Sequence, residues 1–209
     1  MFINFEELKQ INEKLKEYPR SRLQIVTKNR NIEIIKELID KGYQLFGENK
    51  VQEAKEKFEN ILTPNIELHL IGPLQTNKVK LAIQLFDTIQ SIDRIKLVKE
   101  IIKQRDKTAI KTKYFFIQIN IGKERQKSGI HPDDLKELYE FCNQNNVHVI
   151  GLMCIPPLDN SPEIYFKQMI EIRNRINPKL KLSMGMSSDY KIALDCESNL
   201  IRVGSRIFN

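Results

Sequence analysis

Eight short β-branched or apolar runs alternate along this chain with longer stretches of helical spacing, and that strict order constrains the fold more than any other feature. After a helix predicted over residues 5–17, the strand-like runs fall at 23–27, 44–46, 67–72, 88–92, 114–121, 147–153, 181–184 and 200–204. Helical spacing occupies 32–40, 51–58, 79–86, 94–105, 133–143, 162–176 and 189–196. In 32–40 the apolar positions are Ile34, Ile35, Leu38 and Ile39, with Gly42 as the stop signal. Pro132, just ahead of 133–143, suits a helix start. Strands joined in order by helical crossovers run parallel. A closed (β/α)8 barrel, an α/β fold of the TIM-barrel class, accounts for eight units better than an open doubly wound sheet. With 209 residues, one core and one domain spanning 1–209 are expected, the N-terminal helix included. No linker, low-complexity segment or further repeat interrupts the alternation.

Charge excludes less than it suggests. The formal net charge is +7, which raises the question of a nucleic-acid or membrane partner. The excess is mostly lysine and is dispersed through a chain rich in Ile and Asn, with no run of five or six basic residues and no interleaved aromatic stripe. No nucleic acid and no membrane are therefore expected as partners. Cys142, Cys154 and Cys196 are odd in number and form no C-x-x-C pair, so neither a disulfide framework nor a metal site is indicated. They read as small buried hydrophobes of a reducing compartment. Glu6 and Glu7 stand where a signal peptide needs basic and then apolar residues, and no apolar stretch reaches membrane-spanning length. A cytoplasmic monomer is the expectation.

In a barrel of this class, active sites lie at the C-terminal ends of the strands, and phosphate is commonly held after strands seven and eight. The strand ends offer Lys28; Gly47, Glu48 and Asn49; Gly72 and Pro73; Ser91 and Asp93; Asn120; Met153 and Cys154; Gly185 to Ser188; and Arg202 to Ser205. Small residues and hydroxyls at Gly185-Met186-Ser187-Ser188 and Gly204-Ser205 suit an anion, although any βα turn with an N-cap serine looks similar. Lys28 ends an otherwise apolar strand. Most lysines are solvated surface charges, but a partly desolvated amine at a barrel mouth would have a depressed pKa and could attack an aldehyde. A phosphate cup beside an imine-forming lysine implies a phosphorylated aldehyde or ketone. Pyridoxal 5′-phosphate (PLP) is one such ligand, and the sugar phosphate of a class I aldolase is another. His69, inside strand three, reads as a satisfied core or site-wall histidine rather than a general base. The segment Gly72 to Lys78 is not a P-loop, because Asn77 occupies the second glycine's place. Lys123, Arg125 and Lys127 read as solvated charge in the loop after strand five.

Several motifs then resemble one family in its own order. They are Ile25-Val26-Thr27-Lys28, Phe46-Gly47-Glu48-Asn49 with Val51-Gln52-Glu53-Ala54, and His69-Leu70-Ile71-Gly72-Pro73-Leu74-Gln75-Thr76-Asn77-Lys78. Further along are Gln118-Ile119-Asn120-Ile121, Lys127-Ser128-Gly129-Ile130, Gly151-Leu152-Met153, Leu182-Ser183-Met184-Gly185-Met186-Ser187 and Ile201-Arg202-Val203-Gly204-Ser205-Arg206-Ile207-Phe208. The chain resembles the YggS/PROSC family of PLP homeostasis proteins, related to the barrel domain of bacterial alanine racemase. The resemblance implies that Lys28 holds PLP as a Schiff base, and that Ser187, Gly204 and Ser205 hold its phosphate, Ser205 standing where many relatives have Thr. It implies further that Arg202 faces the pyridine nitrogen and Asn49 lines the pocket. Lys50 and Cys154 have no implied role, and Asn209 ends the chain where relatives carry Gly and a short basic tail. An arginine at the ring nitrogen, where catalytic sites commonly place a carboxylate, weakens the cofactor as an electron sink. The family thus implies intracellular PLP homeostasis, with transient contact to PLP-dependent apo-enzymes, rather than a conventional catalyst. The alternative is a low-efficiency PLP-dependent amino-acid racemase. In racemases a second domain or partner chain supplies one of two bases, and without it the pocket is expected to stay open on one side.

Overall fold

The computed structural model describes residues 2–158 and 161–208, and in it the eight runs close into a barrel. The strands are β1 (Arg22–Val26), β2 (Leu45–Glu48), β3 (Glu67–Leu70), β4 (Thr88–Ile92), β5 (Tyr114–Ile119), β6 (Val149–Cys154), β7 (Lys181–Ser183) and β8 (Leu200–Val203). Each pairs in parallel with the next in chain order, and β8 returns to β1 with Gln24 opposite Arg202. Around them lie α2 (Ile32–Asp40), α3 (Val51–Phe58), α4 (Val79–Leu85), α5 (Ile95–Arg105), α6 (Leu135–Gln144), α7 (Pro162–Ile176) and α8 (Tyr190–Asp195), preceded by α1 (Phe5–Leu15). The (β/α)8 barrel read from the alternation is the fold.

Several boundaries differ from the pattern for local reasons. The fifth strand stops at Ile119 because the Asn120 side chain turns the chain, its Oδ1 accepting Glu124 N–H at 3.1 Å. The sixth begins at Val149 because Val147 N–H still bonds back to Cys142 of α6 at 2.9 Å. A short 3-10 turn at Thr76–Lys78 precedes α4, which starts at Val79 as expected, and another at Pro132–Asp134 takes up the first two residues expected of α6. The caps follow the sequence: Asn31 Oδ1 accepts Ile34 N–H at 3.2 Å at the head of α2, and Pro162 opens α7.

Side chains along each strand alternate between two environments. Ile25, Phe46, Leu68, Ile89, Ile117, Leu152, Leu182 and Ile201 point outward into the large apolar cluster shared with the helices. The lumen is different: Leu45, Phe116, Met153 and Leu200 form a small separate cluster, beside a buried polar layer of Gln24, His69, Gln90, Ser183 and Arg202. This phase positions the site. Lys28 continues the lumen-facing series Gln24, Val26, as Gly204 continues Leu200, Arg202. Cys142, Cys154 and Cys196 are free and buried, and burial pushes the first two thiols up to about 12, in keeping with small core residues. Among the described residues no helix is long and apolar enough to cross a membrane, and no group of His, Cys, Asp and Glu could hold a metal ion.

Candidate functional site

The C-terminal mouth of the barrel opens on a cavity of about 650 Å³, within the size range of small-molecule sites. Lys28, Asn49, Ser187, Arg202, Gly204 and Ser205 all line it, so the fold brings together every residue singled out for cofactor binding. Gly72 and Pro73 line it too, whereas Ser91, Asp93, Asn120, Met153 and Cys154 do not. Among the described residues the lining includes no carboxylate and three cations, Lys28, Lys127 and Arg202. The cavity therefore carries a positive field suited to an anion.

Arg202 is the electrostatic centre. It is 4% exposed and makes no ion pair among the described residues; Nη1 donates to Ser183 Oγ at 2.8 Å and Nη2 to the Cys154 carbonyl at 2.7 Å. Burial lowers its pKa from the ordinary value, against the opposing pull of Asp189, the cost of holding a cation away from water with no carboxylate in direct contact. A buried cation on a cavity wall favours a ligand that brings an acceptor. Two further atoms say the same: the buried oxygens Asn49 Oδ1 and Gln118 Oε1, both on lining residues, have no hydrogen-bond partner. Residues with these vacancies fit a ligand that offers both acceptors and donors.

The amine of Lys28 differs from expectation in one respect. It is exposed at the mouth, so the protein alone does not supply the desolvation foreseen for it. What the protein fixes is its backbone. Asn29, the next residue, holds a left-handed φ of 57° and donates its N–H to Glu53 Oε1 at 2.5 Å. The preceding Thr27 carbonyl accepts from Lys57 Nζ at 2.8 Å, and the same ammonium pairs with Glu48 and Glu53, each at 2.7 Å. Thr27 Oγ1 also donates to Glu48 Oε1 at 2.6 Å. Glu48 thus turns outward toward α3 instead of facing the cavity, and Lys57 ties the base of Lys28 to that of Asn49. Burial pushes the Glu48 carboxyl up, against the pull of Lys57 and Thr27.

On the opposite wall, the loops after β7 and β8 meet where Arg206 N–H donates to Ser187 Oγ at 3.3 Å. Gly185 takes a φ of +92°, and a Cβ there would stand 2.5 Å from Ala193 Cβ; glycine is needed for the turn that carries Ser187 to the rim. Between β2 and β3, a Cβ on Gly72 would fall 2.0 Å from the Asn49 carbonyl oxygen, so that close approach sets where Asn49 sits.

His69 is not part of this cavity. It is buried in the lumen with Nδ1 2.7 Å from Gln90 Nε2 and Nε2 2.8 Å from Glu67 Oε1, a satisfied core histidine as read from the sequence. The loop after β5 departs from expectation: Lys127 is half-buried on the cavity wall, its Nζ 2.6 Å from Glu124 Oε2 and 3.1 Å from the Pro156 carbonyl. The Asn120 turn brings it there, and sequence reasoning took it for solvated charge. Gln118 was quoted only as part of a motif, although a polar residue within the apolar Phe115–Ile119 run is itself a signal. Cys154, given no role, supplies a backbone carbonyl to Arg202. Asn209 lies outside the described residues.

Comparison with known proteins agrees with the fold. Residues 5–209 match the family model described as alanine racemase, N-terminal domain. The chain is 38% identical over 185 residues to the pyridoxal phosphate homeostasis protein of Aquifex aeolicus, covering 84% of this chain and 81% of the relative. It is 37% identical over 199 residues to the protein of the same name in Haemophilus influenzae, covering 90% and 84%. Among solved structures, PipY of Synechococcus elongatus with PLP bound superposes with a TM-score of 0.81 at 31% identity, covering 98% of this chain and 99% of that one. An alanine racemase of Clostridium difficile shares the fold, with a TM-score of 0.77 at 16% identity, over 99% of this chain and 57% of the racemase.

Proposed function

The chain belongs to the alanine racemase N-terminal domain family, and from that premise we propose that it binds pyridoxal 5′-phosphate at the C-terminal mouth of its barrel and serves the intracellular homeostasis of this cofactor. The observation that carries the reading is the convergence on one cavity, with no acid among its described lining residues, of an exposed lysine, a buried arginine with no ion pair among the described residues and the two hydroxyl-bearing loops after β7 and β8.

Each residue has a task that its setting supports. Lys28 offers the primary amine, held over the cavity by the backbone clamp at Thr27 and Asn29. Ser187, Ser205 and the backbone at Gly204 receive the phosphate, on a wall whose described lining residues include no carboxylate. Arg202 donates toward the pyridine nitrogen, and Asn49 and Gln118 offer unpaired oxygens to the ring substituents. When bound, the cofactor supplies an aldehyde that condenses reversibly with an amine.

The arginine and the lining together favour holding over catalysis. Arg202 remains cationic and, set beside the ring nitrogen, disfavours its protonation, whereas catalytic sites commonly place a carboxylate there. Among the described lining residues there is no Tyr, His, Cys, Asp or Glu to move a proton, and Lys127 is already engaged by Glu124 and the Pro156 carbonyl. Lys28 is thus the amine available to a carbonyl ligand, on a rim open to solvent that suits loading and release.

Titration of the purified protein with PLP, followed by visible absorbance, tests the reading. The bound-cofactor band is expected in the wild type and absent in Lys28→Ala. Arg202→Ala and Ser205→Ala are expected to weaken retention about ten-fold or more, the scale of a lost charge-assisted contact of roughly 1.5–3 kcal/mol, while still folding. Equal retention in all four proteins would refute the pocket. Efficient interconversion of amino-acid enantiomers, lost in Lys28→Ala, would establish the racemase alternative; borohydride trapping with a sugar phosphate but not with PLP would establish an aldolase.

A further inference from the structure

The opposite mouth of the barrel holds a second cavity, of about 720 Å³, larger than the one just described. It lies on the N-terminal face, where the first residues of seven of the eight strands line it. The cofactor-binding reading leaves it without a role, and it has its own charge pattern. Arg20, Lys113 and Lys179 reach it from the connections before β1, β5 and β7, and Lys181 from the first position of β7. All four are exposed, and none has an ion-pair partner among the described residues. They come from three separate segments of the chain, around 20, 113 and 179–181, so the fold and not one basic run gathers them.

The two carboxylates on the lining do not balance these cations, because each is already engaged. Glu67 binds Arg22 at 2.7 Å and His69 at 2.8 Å; Asp87 binds Lys111 at 2.8 Å and accepts Leu68 N–H at 2.9 Å. Four positive groups around one concavity repel one another, and an anion spanning them converts that repulsion into attraction. A ring surface adjoins them: Tyr114 is 39% exposed and meets His148 edge-on at 5.4 Å, and both line the cavity. The volume of the concavity is in the range of small-molecule sites and suits a compact ligand.

We propose that this basal cavity binds a small phosphorylated polyanion through a polyphosphate chain laid across Arg20, Lys113, Lys179 and Lys181. Free polyphosphate and the phosphates of a nucleotide share that chemistry, and Tyr114 is the group that tells them apart, since it can stack only a base.

The experiment uses the full chain saturated with PLP, so that the other phosphate-binding mouth is filled and its visible band reports its occupancy throughout. Inorganic triphosphate and ATP are titrated separately by calorimetry in about 0.15 M salt, where weak surface attraction is screened. Binding is expected for the wild type and for the control Lys9→Glu/Lys36→Glu, which reverses two exposed lysines on α1 and α2. It is expected to weaken roughly ten-fold or more in Lys113→Glu/Lys181→Glu. Tighter binding of ATP than of triphosphate, lost in Tyr114→Ala, assigns the site to a nucleotide; equal binding of the two assigns it to free polyphosphate. Absence of binding by both probes, equal weakening in the two charge-reversal pairs, or loss of the visible band as the probe is added would each overturn the proposal. A protein that never acquires the visible band would count against the cofactor reading alone, since the basal variants still report on their own face.

Discussion

Gln90 Oε1 accepts the hydroxyl of Ser183 at 2.6 Å, and by taking that proton it leaves Ser183 Oγ free to accept from Arg202. The contact is one link in a chain across the lumen. Gln90 Nε2 donates to Gln24 Oε1 at 3.0 Å and to His69 Nδ1 at 2.7 Å, and His69 Nε2 reaches Glu67 Oε1 at 2.8 Å. Burial lowers the His69 pKa despite Glu67, so the ring is neutral, with its proton on the nitrogen facing the carboxylate. Gln24, His69, Gln90 and Ser183 are thus linked by hydrogen bonds, and the chain positions the guanidinium that faces the C-terminal cavity.

Gln90→Leu keeps the volume and removes both ends of the amide. The Ser183 hydroxyl loses its acceptor, and His69 and Gln24 lose their donor. Leaving buried groups unpaired costs about 1–3 kcal/mol each, less whatever the neighbours recover by re-pairing. Urea unfolding is expected to register that loss. Because Arg202 then rests on a hydroxyl free to rotate, PLP retention is expected to fall and the visible band to shift, although Gln90 does not line the cavity. An unchanged band and unchanged retention would mean that the Cys154 carbonyl alone fixes Arg202.

At the basal end of the same chain, Glu67 gives stability a pH dependence whose sign follows from its partners. Burial pushes its carboxyl up, but hydrogen bonds from His69 and Arg22 outweigh burial and bring it from 4.5 down to about 2. A carboxyl depressed on folding stabilises the native state above its unfolded pKa, and the contribution fades as pH falls through the folded one. The urea midpoints of wild type and Glu67→Gln are therefore expected to differ most above pH 4.5 and to converge toward pH 2. A gap that stays constant over this range would show that Glu67 acts by packing and not by charge.

How far the sequence reveals all this depends on the kind of contact. The barrel is legible because its determinant is local: each strand and helix shows its own period, and α2, α3, β4 and α7 have the bounds their patterns predict. Lys28, Ser187 and Ser205 are legible because a strand end in a known fold points to one mouth. Gln90, Ser183 and Lys57 are not, since their importance lies in partners 93, 19 and 9 residues away, which no spacing reveals. Lys127 was misread because a turn built on Asn120 decides whether its ammonium meets water or the cavity wall. The cations of the basal face are hidden for a related reason: singly each looks solvated, and only closure of the barrel gathers them.

Lys57 holds a buried carboxylate in place, and its removal is expected to cost far more than an ordinary surface lysine. In Lys57→Met, the Glu48 carboxylate stays buried with the Thr27 hydroxyl as a remaining hydrogen-bond donor and no cation paired to it. Breaking a buried pair from one side costs about 3–5 kcal/mol. The loss is expected to fade on acidification, as that of Glu67→Gln does, but for a different reason. Burial already raises the Glu48 pKa, and the variant removes the ion pair that opposes this rise. A carboxyl raised on folding contributes stability at low pH that is lost as pH climbs through its folded pKa. Guanidinium unfolding of Lys57→Met should thus show a deficit that shrinks on acidification; a deficit independent of pH would argue that the methylene stem, not the charge, matters.

Gly72→Ala tests whether the position of Asn49, rather than its chemistry, governs the C-terminal cavity. The added Cβ would lie 2.0 Å from the Asn49 carbonyl oxygen and 2.7 Å from its carbonyl carbon, so the backbone must yield, with no flexible side-chain tip to absorb the clash. Overpacking of that kind costs about 1–3 kcal/mol. Gly42→Ala is the matched comparison: its Cβ meets nothing within 4 Å, yet its φ of +88° imposes backbone strain of its own. Both variants are expected to unfold earlier than the wild type. Only Gly72→Ala moves the loop carrying Asn49 Oδ1, so only it is expected to lose PLP retention when both are measured well below their unfolding midpoints. Equal retention in the two would place the lesion of Gly72→Ala in folding alone and remove Asn49 from the set of residues that hold the cofactor.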